Sequence, residues 1–260
     1  MKQIIPLILV AILMNAATTQ AAIKSQAIDY KDGDVQLQGY LAYDDSQPGT
    51  KPGVLVIPEW WGLTDYARHR ADQLAKLGYV AFAADMYGKG ITTNDPNEAG
   101  KLAGAFYKNR NLARSRAGAG LAVLKQQPEV NANKIAVIGY CFGGTAALEL
   151  ARGGADILGV VSFHGGLDFE NDADNKNIKA KLLICTGAED PMVTADKVNK
   201  FQEALRKADV DFQINTYCKA KHAFTNPEAD SHNIPGISYN AQADERSWQA
   251  MKDFFAEIFK

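Results

Sequence analysis

The stretch Lys134-Ile135-Ala136-Val137-Ile138-Gly139-Tyr140-Cys141-Phe142-Gly143-Gly144-Thr145 decides how this chain is read. An apolar, strand-like run passes straight into G-x-C-x-G, and Thr145–Arg152 continues with helical composition. The serine form of this pentapeptide is a sharp strand-to-helix turn that holds a nucleophile in a strained backbone conformation. Flanking glycines remove side chains that would collide in the turn. The start of the following helix offers positive potential, which favours a thiolate. The backbone N–H of Phe142 is then placed to help bind an oxyanion. The competing reading is a buried structural cysteine behaving as a small hydrophobe.

Working outward, the spacing of apolar and turn residues yields eight strand candidates. Ala27–Tyr30 and Val35–Tyr43 flank Asp32-Gly33-Asp34 and read as an opening hairpin. Val54–Pro58 and Tyr79–Ala84 are short continuous apolar runs, suited to strands covered on both faces. Lys134–Gly139, Ile157–Phe163, Lys181–Thr186 and Asp211–Cys218 complete the set. Helical spacing falls at Thr64–Leu77, with Gly78 as its stop, at Ala195–Lys207 and at Asn240–Phe259. Asn94–Gln127 is helix-compatible, but Gly100, Gly104, Gly118 and Gly120 weaken one long helix. Later strands alternating with helices predict a mainly parallel, eight-stranded twisted sheet with helices on both faces. No repeat or linker divides the chain, so one domain over residues 23–260 is the economical expectation.

The 260 residues carry 28 basic and 30 acidic side chains, a net charge of -2. That balance gives no electrostatic footprint for nucleic acid. Three cysteines make neither a disulfide framework nor a zinc ribbon. Residues 1–22 differ in kind. Lys2, an apolar run from Ile4 to Leu13 and a small-residue exit through Ala21-Ala22 describe a cleaved signal peptide rather than a membrane anchor. The mature chain is therefore expected to be secreted, most simply to a periplasm.

A cysteine nucleophile needs a base, and there are four histidines. His69 sits between Arg68 and Arg70 in a helix and reads as solvated. His232 lies in an irregular loop. His164 follows a buried strand in Phe163-His164-Gly165-Gly166 and is expected to line the site. His222 follows the last strand, where a base is wanted. The acid should fall between nucleophile and histidine. Asp190 fits, in Gly187-Ala188-Glu189-Asp190-Pro191, with Glu189 and then Asp168 as rivals. Glu59 stands after the strand Val54–Pro58 and before Trp60-Trp61, at the sheet edge where sites gather.

At this point the chain resembles the dienelactone hydrolase family. The resemblance is carried by Val56-Ile57-Pro58-Glu59-Trp60-Trp61-Gly62-Leu63, Ala84-Asp85-Met86-Tyr87-Gly88, Gly139-Tyr140-Cys141-Phe142-Gly143-Gly144, Gly187-Ala188-Glu189-Asp190 and His222-Ala223-Phe224. It implies an α/β-hydrolase fold and a Cys141–His222–Asp190 triad. It implies an oxyanion hole from the N–H groups of Phe142 and Trp60. It also implies a gating role for Glu59, hydrogen-bonded to the resting thiol. Trp60, Trp61, Tyr87 and Phe224 are expected to supply pocket walls. Two family positions for substrate-carboxylate arginines are held here by Lys89 and Asn226. Lysine lacks the bidentate fork and asparagine lacks charge, so dienelactone itself does not carry over.

The expected activity is hydrolysis of a small ester or lactone through an acyl-enzyme, with no metal or organic cofactor. A non-catalytic ligand-binding relative is the alternative. A thiol redox protein is disfavoured by the absence of C-x-x-C. Cys185 and Cys218 fall on strands expected to be neighbours, and two buried free thiols, rather than a disulfide, are the expected state.

Overall fold

Eight strands form one sheet in the computed structural model, which describes residues 23–46 and 48–260. The expected signal peptide lies outside those residues. Strand β1 (Ile23–Asp32) turns at Gly33, in the left-handed region at φ 57°, into β2 (Val35–Asp44). Then follow β3 (Lys51–Ile57), α1 (Asp65–Lys76), β4 (Val80–Ala83), α2 (Pro96–Lys108), α3 (Arg110–Lys125) and β5 (Val130–Tyr140). The second half runs α4 (Phe142–Arg152), β6 (Gly159–Phe163), β7 (Lys181–Gly187), α5 (Ala195–Lys207), β8 (Phe212–Tyr217) and α6 (Ala241–Ile258).

The strand order is β1-β2-β4-β3-β5-β6-β7-β8. The β1–β2 and β2–β4 pairs are antiparallel, and every other pair is parallel. Period-two alternation splits the core in two. Leu55, Ile57, Val137, Val160, Leu182 and Ile184 face α2 to α5, through residues such as Phe106, Ala117, Leu148 and Phe201. Val54, Val56, Ile138, Val161 and Leu183 face α1 and α6, through Leu74, Met251 and Phe255. This is the α/β-hydrolase architecture. No helix among the described residues is long and apolar enough to cross a membrane.

Three local readings are corrected. The long helical region breaks at Asn109, not at a glycine. The Asn109 N–H closes α2 on the Ala105 carbonyl, while its side chain accepts the Leu112 N–H and caps α3. Its glycines lie inside the helices, and a Cβ on Gly120 would meet Ala84 at 3.0 Å, so there the bare residue lets α3 lie close on the sheet. Strand β5 starts at Val130 rather than Lys134, pairing with Lys51 before a register shift at Pro52/Gly53. Cys185 is a buried free thiol as expected, but Cys218, just past the end of β8, is exposed. His69 is exposed as expected, and its neighbour Arg70 is buried and ion-paired with Asp244 of α6.

Candidate active site

All the parallel strands end at one edge of the sheet, and the chemistry gathers there. The β5–α4 turn puts Cys141 at φ 53°, ψ -117°, a conformation costly for a residue with a side chain. Only glycine fits beside it. A Cβ on Gly139 would stand 2.0 Å from the Gly143 carbonyl oxygen, and one on Gly143 would stand 2.1 Å from that of Ile57. Among the described residues no acceptor takes the N–H of Phe142, which opens α4, or that of Trp60 in the turn after β3. The Tyr87 hydroxyl donates to the Trp60 carbonyl at 2.9 Å and braces that turn.

The loops after β7 and β8 supply two more groups. His222 Nε2 lies 3.0 Å from Cys141 Sγ, and its Nδ1 lies 2.9 Å from Asp190 Oδ2. The other carboxylate oxygen, Asp190 Oδ1, accepts the Met192 and Val193 N–H groups at 2.8 and 3.3 Å, which fixes its orientation. The backbone around His222 is held by the Gly236 carbonyl and the Ser238 N–H. Burial disfavours a charged His222, but the Cys141 sulfur and the Asp190 carboxylate more than offset it, and its pKa is pushed up to about 10. Of the rival acids, Glu189 is exposed, and Asp168 is paired with Lys197 at 2.8 Å.

Glu59 is buried, and burial pushes its carboxyl up to about 7 against the opposing pull of Asn226, His222 and Arg70. Its hydrogen-bond partner is Asn226, whose Nδ2 donates to Oε2 at 2.7 Å. The expected bond from the thiol to Glu59 is absent: the sulfur is turned to His222 instead.

The sulfur opens onto a cavity of about 400 Å³. Trp60, Cys141 and His222 line it, together with Tyr107, Arg110, Thr145, Gly166, Asp168, Met192, Lys197 and Ile237. Of the expected walls Trp60 is in place, and the others are elsewhere. Lys89 reaches away from the site to Asp29 of β1 at 2.6 Å. Asn226 is turned to Glu59, and Trp61 is stacked on His232 at 4.1 Å between ring centroids. Tyr87 and Phe224 are buried as props beneath the site, and His164 is buried under the elbow. The sequence did hold a signal for Met192, two residues past Asp190 at the productive sheet edge. It held none for Tyr107 and Arg110, which reach the cavity only because the helix breaks at Asn109.

The sequence profile of the dienelactone hydrolase family matches residues 37–259. The chain belongs to that family. Among solved structures it is 42% identical, with a TM-score of 0.89, to a dienelactone hydrolase-like promiscuous phosphotriesterase from metagenomic libraries, over 92% of this chain and 100% of that one. A candidate carboxymethylenebutenolidase of Aquifex aeolicus is 27% identical over 90% of this chain and 99% of its own. Protein usf of Aquifex pyrophilus is 28% identical over 89% and 98% respectively. Within the family, this chain has neither expected carboxylate-binding arginine, and its cavity presents Arg110 instead, with no carboxylate paired to it among the described residues.

Proposed function

We propose that this dienelactone hydrolase family member cleaves small esters or lactones through a thioester on Cys141. One observation carries the reading: Sγ, Nε2, Nδ1 and Oδ2 follow in line at 3.0 and 2.9 Å, at a strained elbow that opens into a cavity. The Cys141 proton passes to His222, and the sulfur attacks the carbonyl carbon. The Phe142 and Trp60 N–H groups receive the developing oxyanion. Collapse expels the alkoxide, which takes the proton from His222. Water, deprotonated by His222, then attacks the thioester and restores the thiol. Asp190 keeps the ring in the productive tautomer and stabilises its charge.

Glu59 changes charge near neutral pH, and its field reaches His222. A charged Glu59 stabilises the His222 imidazolium, and a neutral one does not. In this way Glu59 sets the range in which the thiol is active, without a direct bond to the sulfur. We also assign residues 1–22 to export, with a periplasmic mature chain; an intact mass beginning at Ala22 or Ile23 supports this, and a retained Met1 refutes it.

The test is a panel of small esters, lactones and, given the metagenomic relative, phosphotriesters, run on the parent and Cys141→Ala. Turnover that disappears with Cys141 is expected. Turnover undiminished in Cys141→Ala overturns the nucleophile. A parent inert across the whole panel favours a non-catalytic binding protein.

A further inference from the structure

A buried hydrogen-bonded strut lies beneath the elbow, and the mechanism above makes no use of it. His164 follows β6 and is fully buried. Its Nδ1 accepts the Cys141 backbone N–H at 3.1 Å, a proton shared with the Phe163 carbonyl at 3.0 Å. Its Nε2 is 2.7 Å from Thr225 Oγ1. An amide N–H only donates, so Nδ1 is the bare nitrogen and Nε2 carries the proton. The ring therefore accepts from the nucleophile's own backbone and donates to Thr225. Thr225 stands three residues after His222. Its hydroxyl meets Tyr66 Oη at 2.6 Å, and its carbonyl accepts from Arg70.

Two strained residues meet at this strut, Cys141 at φ 53° and His164 at φ 42°. Such backbone persists only where its surroundings over-determine it. Three further contacts hold the imidazole in place. Its backbone N–H donates to the Cys185 carbonyl at 2.8 Å, its ring meets Phe224 edge-on, and it meets the His222 ring edge-on at 5.3 Å between centroids. Burial, His222 and Arg70 hold it uncharged, which keeps Nδ1 free to accept. The one ring thus ties the turn that presents the sulfur to the loop that presents the base.

We propose that His164, acting through Thr225, is a positioning residue for the reaction, setting the separation and facing of Cys141 Sγ and His222 Nε2. The inference rests on reading those two groups as nucleophile and base. Two substitutions separate the strut from simple packing. Thr225→Val keeps the shape and removes the hydroxyl. His164→Asn tolerates the left-handed backbone and offers an amide oxygen near the Nδ1 position, but cannot reach Thr225. The measurements are kcat and KM on an activated aryl ester, and the pH profile of Cys141 alkylation by iodoacetamide, read on the Cys141 peptide.

Each variant is expected to lower kcat roughly ten- to a hundredfold, as misplacement of a reacting group does, with KM nearly unchanged. Each is expected to slow alkylation of Cys141 near neutral pH. The double variant should be no worse than the worse single one, because both cut the same link. A folded Thr225→Val protein with the parent's kcat and alkylation profile overturns the proposal. That variant decides the matter even where His164→Asn fails to fold. Alkylation reads the sulfur–imidazole pair without any ester. A parent inert on esters whose alkylation still responds to Thr225→Val keeps the strut and removes the hydrolase reading. An active parent that ignores Thr225→Val does the reverse.

Discussion

Replacing Glu59 by Gln tests the electrostatics of the site through stability alone. Glu59 is buried, with its carboxyl raised from 4.5 to about 7. At about 1.4 kcal/mol per tenfold, that difference corresponds to a cost of about 3 kcal/mol for holding the charged form in the fold. The sign follows from linkage. The folded protein binds this proton more tightly than the unfolded chain does, so the benefit is complete below pH 4.5 and is lost as pH rises through about 7. Gln keeps the carbonyl oxygen that accepts from Asn226 and has no proton to lose. Urea unfolding of both proteins across this range should give matching stabilities below pH 4.5. Above pH 7 the variant should gain by up to about 3 kcal/mol, roughly 6–12 °C in melting temperature for a chain of this size. Parallel stability curves would mean that Glu59 carries no raised pKa. On the functional side, the same variant should alter the pH profile of Cys141 alkylation, and an identical profile would remove Glu59 from control of the thiol.

Asp190→Asn should lower kcat by roughly two to four orders of magnitude with the fold intact, since an amide can donate to Nδ1 and hold the wrong tautomer; stopped-flow on an aryl ester measures it. Arg110→Gln should weaken kcat/KM for a carboxylate-bearing aryl ester by roughly tenfold or more relative to a neutral one, the worth of a charged hydrogen bond, and equal losses on both would exclude Arg110 from anion recognition. Gly143→Ala forces a Cβ to 2.1 Å from the Ile57 carbonyl oxygen, backbone against backbone. It should cost at least about 2 kcal/mol in urea unfolding, and parent-like stability would contradict the close packing described for the elbow.

What was readable in the sequence followed local rules. Buried strands announce themselves as short apolar runs, and α5 spans the Ala195–Lys207 its periodicity predicts. The elbow was legible because so tight a strand-to-helix turn demands glycines around it. Cys141, Asp190 and His222 were legible because each follows a parallel strand, and all such strands end on one side. The cavity walls were not, because they depend on how surface elements are laid over that edge. Arg110 enters through a helix break made by one asparagine cap. Lys89 is instead paired with Asp29 on the antiparallel hairpin. His164 lies at the edge but points inward, where its Nδ1 shares the strained Cys141 N–H with the Phe163 carbonyl. Arg70 shows the same limit: beside an exposed His69 it is itself buried, because α6 brings it Asp244 as an ion-pair partner.

In the proposed reaction the sulfur of Cys141 takes up the acyl group. Rapid acid quench of the enzyme with excess activated aryl ester, followed by mass analysis of its peptides, tests that directly. A transient gain of one acyl group on the Cys141 peptide is expected, formed as fast as the phenol burst and absent in Cys141→Ala. Ester consumed equally by parent and Cys141→Ala, with the Cys141 peptide unmodified at every time, would contradict it.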